Sequence, residues 1–303
     1  MEHKVVSENS TSRLPHYTNV STTVRLRGKE VKIHGLCTGM VAVKTNFKTK
    51  KGFGELAKLN IVLDRHYTHY LPIWVWVVEH PEGTIVVDTG ENTAVNALDQ
   101  YLRAESWFLR FQFRNAAKFV VKEQDELPYQ LKHINERMPD IKLVVLTHLH
   151  LDHTDGLKFF PRQEVIVSDH EYRYAQNNMV STYPVWFNPN RVRYQANKID
   201  IFNDAYPITA AEDLLYIPTP GHTRGHSSVL FRTDEYDIIF AGDSSYSQEQ
   251  VLTGQLAGVQ VDYAKSRQTY NQLLAYAARR KSIYLPTHDE QAGQRLVDKT
   301  FLI

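Results

Sequence analysis

Cysteine is nearly missing from this chain, with Cys37 the single one among 303 residues. No internal disulfide can form, so the fold must rest on its apolar core, and a reducing, cytoplasmic setting is expected. An excess of charge of either sign is missing as well: 35 Lys and Arg stand against 34 Asp and Glu, a net of +1. That balance gives no electrostatic case for nucleic acid or an anionic membrane surface, and neither is expected as a partner. Long apolar runs are also absent. The longest, Leu71 to Val78, falls well short of the about 20 residues that a membrane-spanning helix needs. The polar start, Met1 to Asn19, carries no apolar signal core. What remains is an ordinary globular composition, 42% hydrophobic and 23% charged, which suffices to bury a core without staples.

The pattern along the chain is that of an α/β protein. Residues 1–30 are polar and read as an N-terminal arm or edge element, and residues 31–303 as a single domain. Val31 to Val43 reads as a first strand or hairpin, and Thr45 to His69 as a long loop that serves as a lid or a dimer contact. Leu71 to Val78 and Thr84 to Val87, joined by Pro81-Glu82-Gly83, form a hairpin ending at Asp88-Thr89-Gly90. Residues 92 to 138 read as helical, with Arg110, Arg114, Lys118 and Lys122 recurring every four residues on one face. The whole stretch, about 91–140, is then a helical insertion. Ile141 to Leu146 is a wholly apolar strand. Further strands are expected at Glu164–Val167, Leu214–Ile217, Ser228–Phe231, Asp237–Phe240 and Ser282–Leu285, with a helix from Tyr263 to Arg280. Alternating strands and helices in two halves give sheets covered by helices.

The chemistry is concentrated in His148-Leu149-His150-Leu151-Asp152-His153, directly after a strand. On an extended backbone, side chains at i and i+2 point the same way, so His148 and His150 can reach one ion. The turn signalled by Asp155-Gly156 then brings Asp152 and His153 toward a second position. His222, Asp243 and His288 also follow expected strands, and strand ends converge on a rim where sites form. Seven side chains suffice for two ions: His148, His150 and His222 on one, Asp152, His153 and His288 on the other, and Asp243 between them. Two divalent ions about 3.5–4 Å apart can hold a hydroxide between them and polarise a carbonyl or phosphoryl oxygen. Zinc is the first choice for such ligands, with cobalt, manganese or iron as alternatives. A lone histidine is more often a surface or hydrogen-bonded residue than a ligand. Three imidazoles and a carboxylate packed into six residues have little structural use without a metal. His226 reads as a supporting residue, while His66, His69 and His80 receive no role.

His-x-His-x-Asp-His, followed by Pro220-Gly221-His222, Gly242-Asp243 and Thr287-His288-Asp289, resembles the metallo-β-lactamase superfamily. The resemblance implies an αββα sandwich with a dinuclear site at the edge between the sheets. Within the superfamily the chain is most similar to the N-acyl homoserine lactonases. Leu71-Pro72-Ile73-Trp74, Pro220-Gly221-His222-Thr223 with Gly225-His226, and Asp243-Ser244-Ser245-Tyr246 carry that likeness. His288 lies fifteen residues from the end of the sequence, so the further domain that thioester-hydrolysing relatives append is not expected. The likeness implies lactone opening by a hydroxide held between the metals, with Asp152 as ligand and proton donor and Tyr246 at the lactone carbonyl. It also implies a pocket lined by Ala257 and Gly258, a small-molecule substrate and a homodimer. Trp107, Phe108, Phe111 and Phe113 are candidates for an acyl-chain channel or, more simply, one face of an amphipathic helix packed on the core. Organophosphate hydrolysis on the same metals is the alternative activity, and a binding protein with a decayed site is the alternative class.

Overall fold

The computed structural model describes residues 14–52, 55–194 and 200–303. Of the segment 1–30, residues 1–13 lie outside the described residues, and Val20–Leu26 forms an edge strand, β1, rather than a loose arm. It pairs antiparallel with β2 (Lys29–Val43), which pairs with β3 (Leu71–Val78), and β3 with β4 (Thr84–Val87). The sheet changes direction there. After β5 (Ala117–Val120) comes β6 (Ile141–Val145), which lies parallel to β4. The strands β7 (Glu164–Ser168) and β8 (Asn190–Val192) continue the parallel half. The second sheet holds β9 (Tyr206–Pro207), β10 (Leu214–Pro218), β11 (Ser227–Arg232), β12 (Asp237–Gly242) and β13 (Ser282–Pro286), ordered 13-12-11-10-9.

The period-two geometry of strands explains the four layers. Along β3, Trp74, Trp76 and Val78 face the second sheet, where they meet a core that includes Val229, Phe231, Ile238 and Phe240. Val75 and Val77, between them, face the other way, toward Leu127, Leu131, Leu157 and Phe160. In β12, Ile238 and Phe240 face the first sheet. Ile239 and Ala241 pack with Tyr270, Leu273 and Tyr276 from the helix Tyr263–Ala277. The arrangement is helix, sheet, sheet, helix: an αββα sandwich. Apart from Asp237 at the start of β12, both strands carry no charged side chain, because both faces are covered.

Two segments depart from the sequence-based expectation. Thr45 to His69 is not a loop: it folds into the helices Thr45–Lys48 and Glu55–Leu63. The stretch 92–138 is not continuously helical either. Its helix Trp107–Ala116 stops, and Ala117–Val120 adds to the edge of β2 through Val43↔Ala117 and Met40↔Val120. The four-residue basic repeat is therefore split, with Arg110 and Arg114 on the helix and Lys118 on a strand. Phe119, Val120 and Val121 carry β-favouring side chains, and an open strand edge decided the matter. That edge is open because β1 pairs with β2 only as far as Val20↔Gly35. Among the described residues no helix is long and apolar enough to cross a membrane.

Trp76 is a fully buried anchor of the inter-sheet core, its ring 5.7 Å from those of Trp74 and Phe240. Trp76→Ala should cost about 3–5 kcal/mol of unfolding free energy by urea titration. A loss below about 1 kcal/mol would show that the sheets do not depend on this contact.

Candidate metal centre

Strand ends from both sheets supply the site. His148 and His150 follow β6, and Asp152 and His153 sit in the short helix Leu151–Thr154 that succeeds them. His222 follows β10, Asp243 follows β12 and His288 follows β13. Gly242, the last residue of β12, holds φ +55°, and a Cβ there would stand 2.7 Å from both His226 Nε2 and Thr147 Oγ1. Only glycine lets the chain turn Asp243 inward at this point.

All seven expected side chains are brought together. His148, His150 and His222 offer ligand atoms within 4.8 Å of one another; so do Asp152, His153 and His288, and so do His148, His153 and Asp243. Asp243 thus joins one member from each of the other two groups. Its Oδ1 lies 3.3 Å from His153 Nε2, and its Oδ2 lies 3.4 Å from both His222 Nε2 and His288 Nε2. His288 Nε2 also stands 3.3 Å from Asp152 Oδ2. His222 Nε2 and His150 Nδ1 face each other at 2.9 Å.

The far side of three of the rings is fixed by a partner. His153 Nδ1–H donates to Asp88 Oδ2 (2.8 Å), His288 Nδ1–H to the Pro72 carbonyl (2.9 Å), and His150 Nε2–H to the Gln176 carbonyl (3.1 Å). Such partners set the tautomer and aim the free nitrogen inward. Asp88, at the end of β4 with φ +62°, also accepts the Thr147 N–H at 2.8 Å. Glu171 ties two ligand loops together. Its Oε1 accepts from the Leu149 N–H (3.1 Å), and its Oε2 accepts from the Thr223 hydroxyl (2.6 Å) and the Gly225 N–H (3.1 Å). His226 uses both nitrogens, Nδ1–H toward the Thr219 carbonyl (3.1 Å) and Nε2 accepting the Asp243 N–H (3.0 Å). Burial, first of all, pushes its imidazole down to about 3, so it stays neutral and holds Asp243 in place.

Three inward atoms lack protein partners. His148 Nε2, His153 Nε2 and Asp243 Oδ1 are buried and hydrogen-bonded to nothing. Buried polar atoms are rarely left this way, and a nitrogen–oxygen donor set of this kind fits a divalent transition ion. The charges agree. Burial disfavours the charged form of His288, but Asp243 and Asp152 outweigh it and lift the group to about 10. His153 is likewise lifted well above the usual imidazole range, by Asp88, Asp243 and Asp152 acting against burial. Carboxylates this deep demand cations, and protons on His153 and His288 supply them where an ion would otherwise do so.

Tyr246 is buried, its ring stacked on His288 at 5.3 Å between centroids. It shares an apolar cluster with Ala257, Val41, Val43, Leu71 and Ile73. Gly258 lies tight against the helix Thr45–Lys48, its N–H donating to the Phe47 carbonyl at 2.8 Å. Trp107 and Phe111 stand largely exposed on the outer face of the helix Trp107–Ala116, while Phe113 turns inward and stacks on Phe119. His66 and His69 are exposed; His80 is buried away from the site, against Asp213.

Sequence reasoning missed Asp88 and Glu171 as supports. Asp88 left a faint signal, a carboxylate directly after an apolar strand. Glu171, in the helix Asp169–Tyr174, left none.

Comparison with known proteins agrees with this fold. The profile of the Metallo-beta-lactamase superfamily matches residues 70–288. An N-acyl homoserine lactonase of Bacillus cereus is 30% identical over 181 residues, 59% of this chain and 66% of that protein. The chain thus spans just under two thirds of the length of that relative. N-acyl homoserine lactonase AttM of Azorhizobium caulinodans is 27% identical over 282 residues, covering 87% of this chain and 95% of its own. A solved N-acyl homoserine lactone hydrolase with the product N-hexanoyl-L-homoserine at its catalytic metal centre has the same fold. It superposes with a TM-score of 0.70 at 20% identity, over 92% of this chain and all of that one.

Two outcomes follow from the geometry. Asp88→Asn should weaken zinc binding about 10–100-fold in a chelator competition, with the fold retained; unaltered affinity would remove Asp88 from the support of His153. Zinc affinity should also climb with pH across the neutral range, because the protons on His153 and His288 must leave before an ion can enter. A flat titration would show that those rings are already neutral.

Proposed function

The chain belongs to the Metallo-beta-lactamase superfamily, and from that premise we propose that it is a metal-dependent hydrolase that opens the ring of N-acyl homoserine lactones. One observation carries the reading: a buried phenol, Tyr246, lies on His288 at the rim of the seven-residue cluster. The names of the relatives support the choice of lactone.

In this reading His148, His150 and His222 would hold one ion and Asp152, His153 and His288 the other, with Asp243 as a further ligand. When bound, such a pair acidifies water and polarises an acyl oxygen. The remaining work falls to the chain. Burial, then Asp243 and Asp152, push the Tyr246 phenol well above its usual range. It stays protonated and can donate a hydrogen bond to the lactone carbonyl as negative charge develops there. Asp152 is the more open of the two carboxylates, its side chain 15% exposed against 4% for Asp243. It is therefore the one able to meet substrate. Ring opening consumes one water: its oxygen adds to the carbonyl carbon and the ring C–O bond breaks. Asp152 takes up the proton released by the water and returns it to the departing ring oxygen. Ala257 lines the apolar wall beside Tyr246.

Tyr246→Phe should lower turnover by about 10²-fold without loss of metal; unchanged turnover would take the phenol out of the reaction. A pH-stat assay on homoserine lactones with short and long acyl chains, beside paraoxon and a thioester, tests the substrate class. Acid release from the lactones is expected, and release from the phosphotriester alone would overturn the assignment in favour of organophosphate hydrolysis.

A further inference from the structure

Two helices outside the metal centre carry their apolar faces outward. In Glu55–Leu63, the residues Leu56, Leu59, Val62 and Leu63 recur at helical spacing, and each is more than half exposed. In Trp107–Ala116 the same holds for Trp107, Phe108 and Phe111. Amphipathic helices of a globular protein normally turn such a stripe to the core. The flanks of the two helices meet through Lys44 and Tyr67. The Lys44 N–H donates to the Ala116 carbonyl (3.1 Å), the Tyr67 hydroxyl to the Asn115 carbonyl (2.8 Å), and Lys44 Nζ to the Val62 carbonyl (3.4 Å). They also border the metal centre, because Phe47, in the same segment, packs on the cluster of Tyr246 and Ala257.

Charge is segregated to these elements. Residues 44–66 hold six Lys and Arg against two Asp and Glu, and residues 103–118 hold four against one. The rest of the chain is left with 25 against 31, so a near-neutral chain has two basic segments and an acidic remainder. Lys51, Arg65, Arg103 and Lys118 are exposed there.

We infer that the face built by the helices Glu55–Leu63 and Trp107–Ala116 docks on an anionic lipid bilayer. Exposed Leu, Val, Trp and Phe side chains suit the boundary between headgroups and acyl chains, and surrounding Lys and Arg suit anionic headgroups. A second copy of the chain is a poorer occupant. A two-fold contact would set this basic face against itself, with like charges opposed. The expected homodimer would then use another surface. Docking also places the metal centre beside the bilayer, where long acyl chains partition. The inference stands on the surface alone and does not require the lactonase reading.

Vesicle co-sedimentation of the full chain tests it, with phosphatidylcholine vesicles and with vesicles containing added phosphatidylserine. The bound fraction should rise with phosphatidylserine and fall with added salt. It should drop at least about tenfold in the triple variant Trp107→Ala, Phe108→Ala, Phe111→Ala, and also in Leu59→Gln with Val62→Gln. These side chains are exposed, and an unchanged melting midpoint would show that the variants fold. No sedimentation with either vesicle would overturn the inference, as would binding that ignores both sets of substitutions. So would a dimer in sedimentation velocity that Leu59→Gln with Val62→Gln dissociates in the absence of vesicle binding, which would make the face a self-interface.

Discussion

Asp243 lies within reach of three imidazoles contributed by three different loops, and its own amide is held by a fourth. Burying that carboxylate is affordable only with positive charge on the inner side. The other parts of the site satisfy this constraint. His153 and His288 are driven toward the charged form around it, while His148 is pushed well below its usual range by burial and its neighbouring rings. A cation at the centre resolves both tendencies at once, since neutral imidazoles then serve as ligands and the carboxylates find their counter-charge.

This arrangement exists only when the two sheets are packed. β6 belongs to the first sheet and carries the His-rich run, while β10, β12 and β13 belong to the second and deliver His222, Asp243 and His288. The core built by Trp74, Trp76, Phe231 and Phe240 sets the spacing between the halves. Glu171 then links the loop after β6 to the loop after β10, so that the histidines of one ion group keep their separation. Stability and chemistry are coupled here, because whatever loosens the sheets also opens the ligand cluster.

The two insertions around the centre have a different character. Thr45–His69 and 92–138 add helices whose inner residues, such as Phe47 and Phe113, pack on the scaffold, while their outer residues are apolar and their flanks basic. Net charge averaged this away. A value of +1 gives no case for an anionic surface as partner, yet the excess of positive charge is concentrated in these two segments. Averages over a chain carry no information on where charges lie.

Much of the metal centre was legible before any coordinates. The i, i+2 histidines, the carboxylate beside them and the three later strand-end ligands depend on local geometry, and strand runs such as Leu71–Val78 announce themselves by composition. The helix over 92–138 was misjudged because a four-residue basic repeat is compatible with several backbones, and Ala117–Val120 found an open edge of β2 that no local pattern reveals. Asp88 and Glu171 escaped notice for a similar reason: each acts on residues more than twenty positions away. The choice of candidate ligands follows from residue type and spacing along one chain. Which ring nitrogen faces inward, which carboxylate reaches both groups and which helix faces stay open to solvent were decided by contacts between distant segments, and these exist only once the sheets have closed on each other.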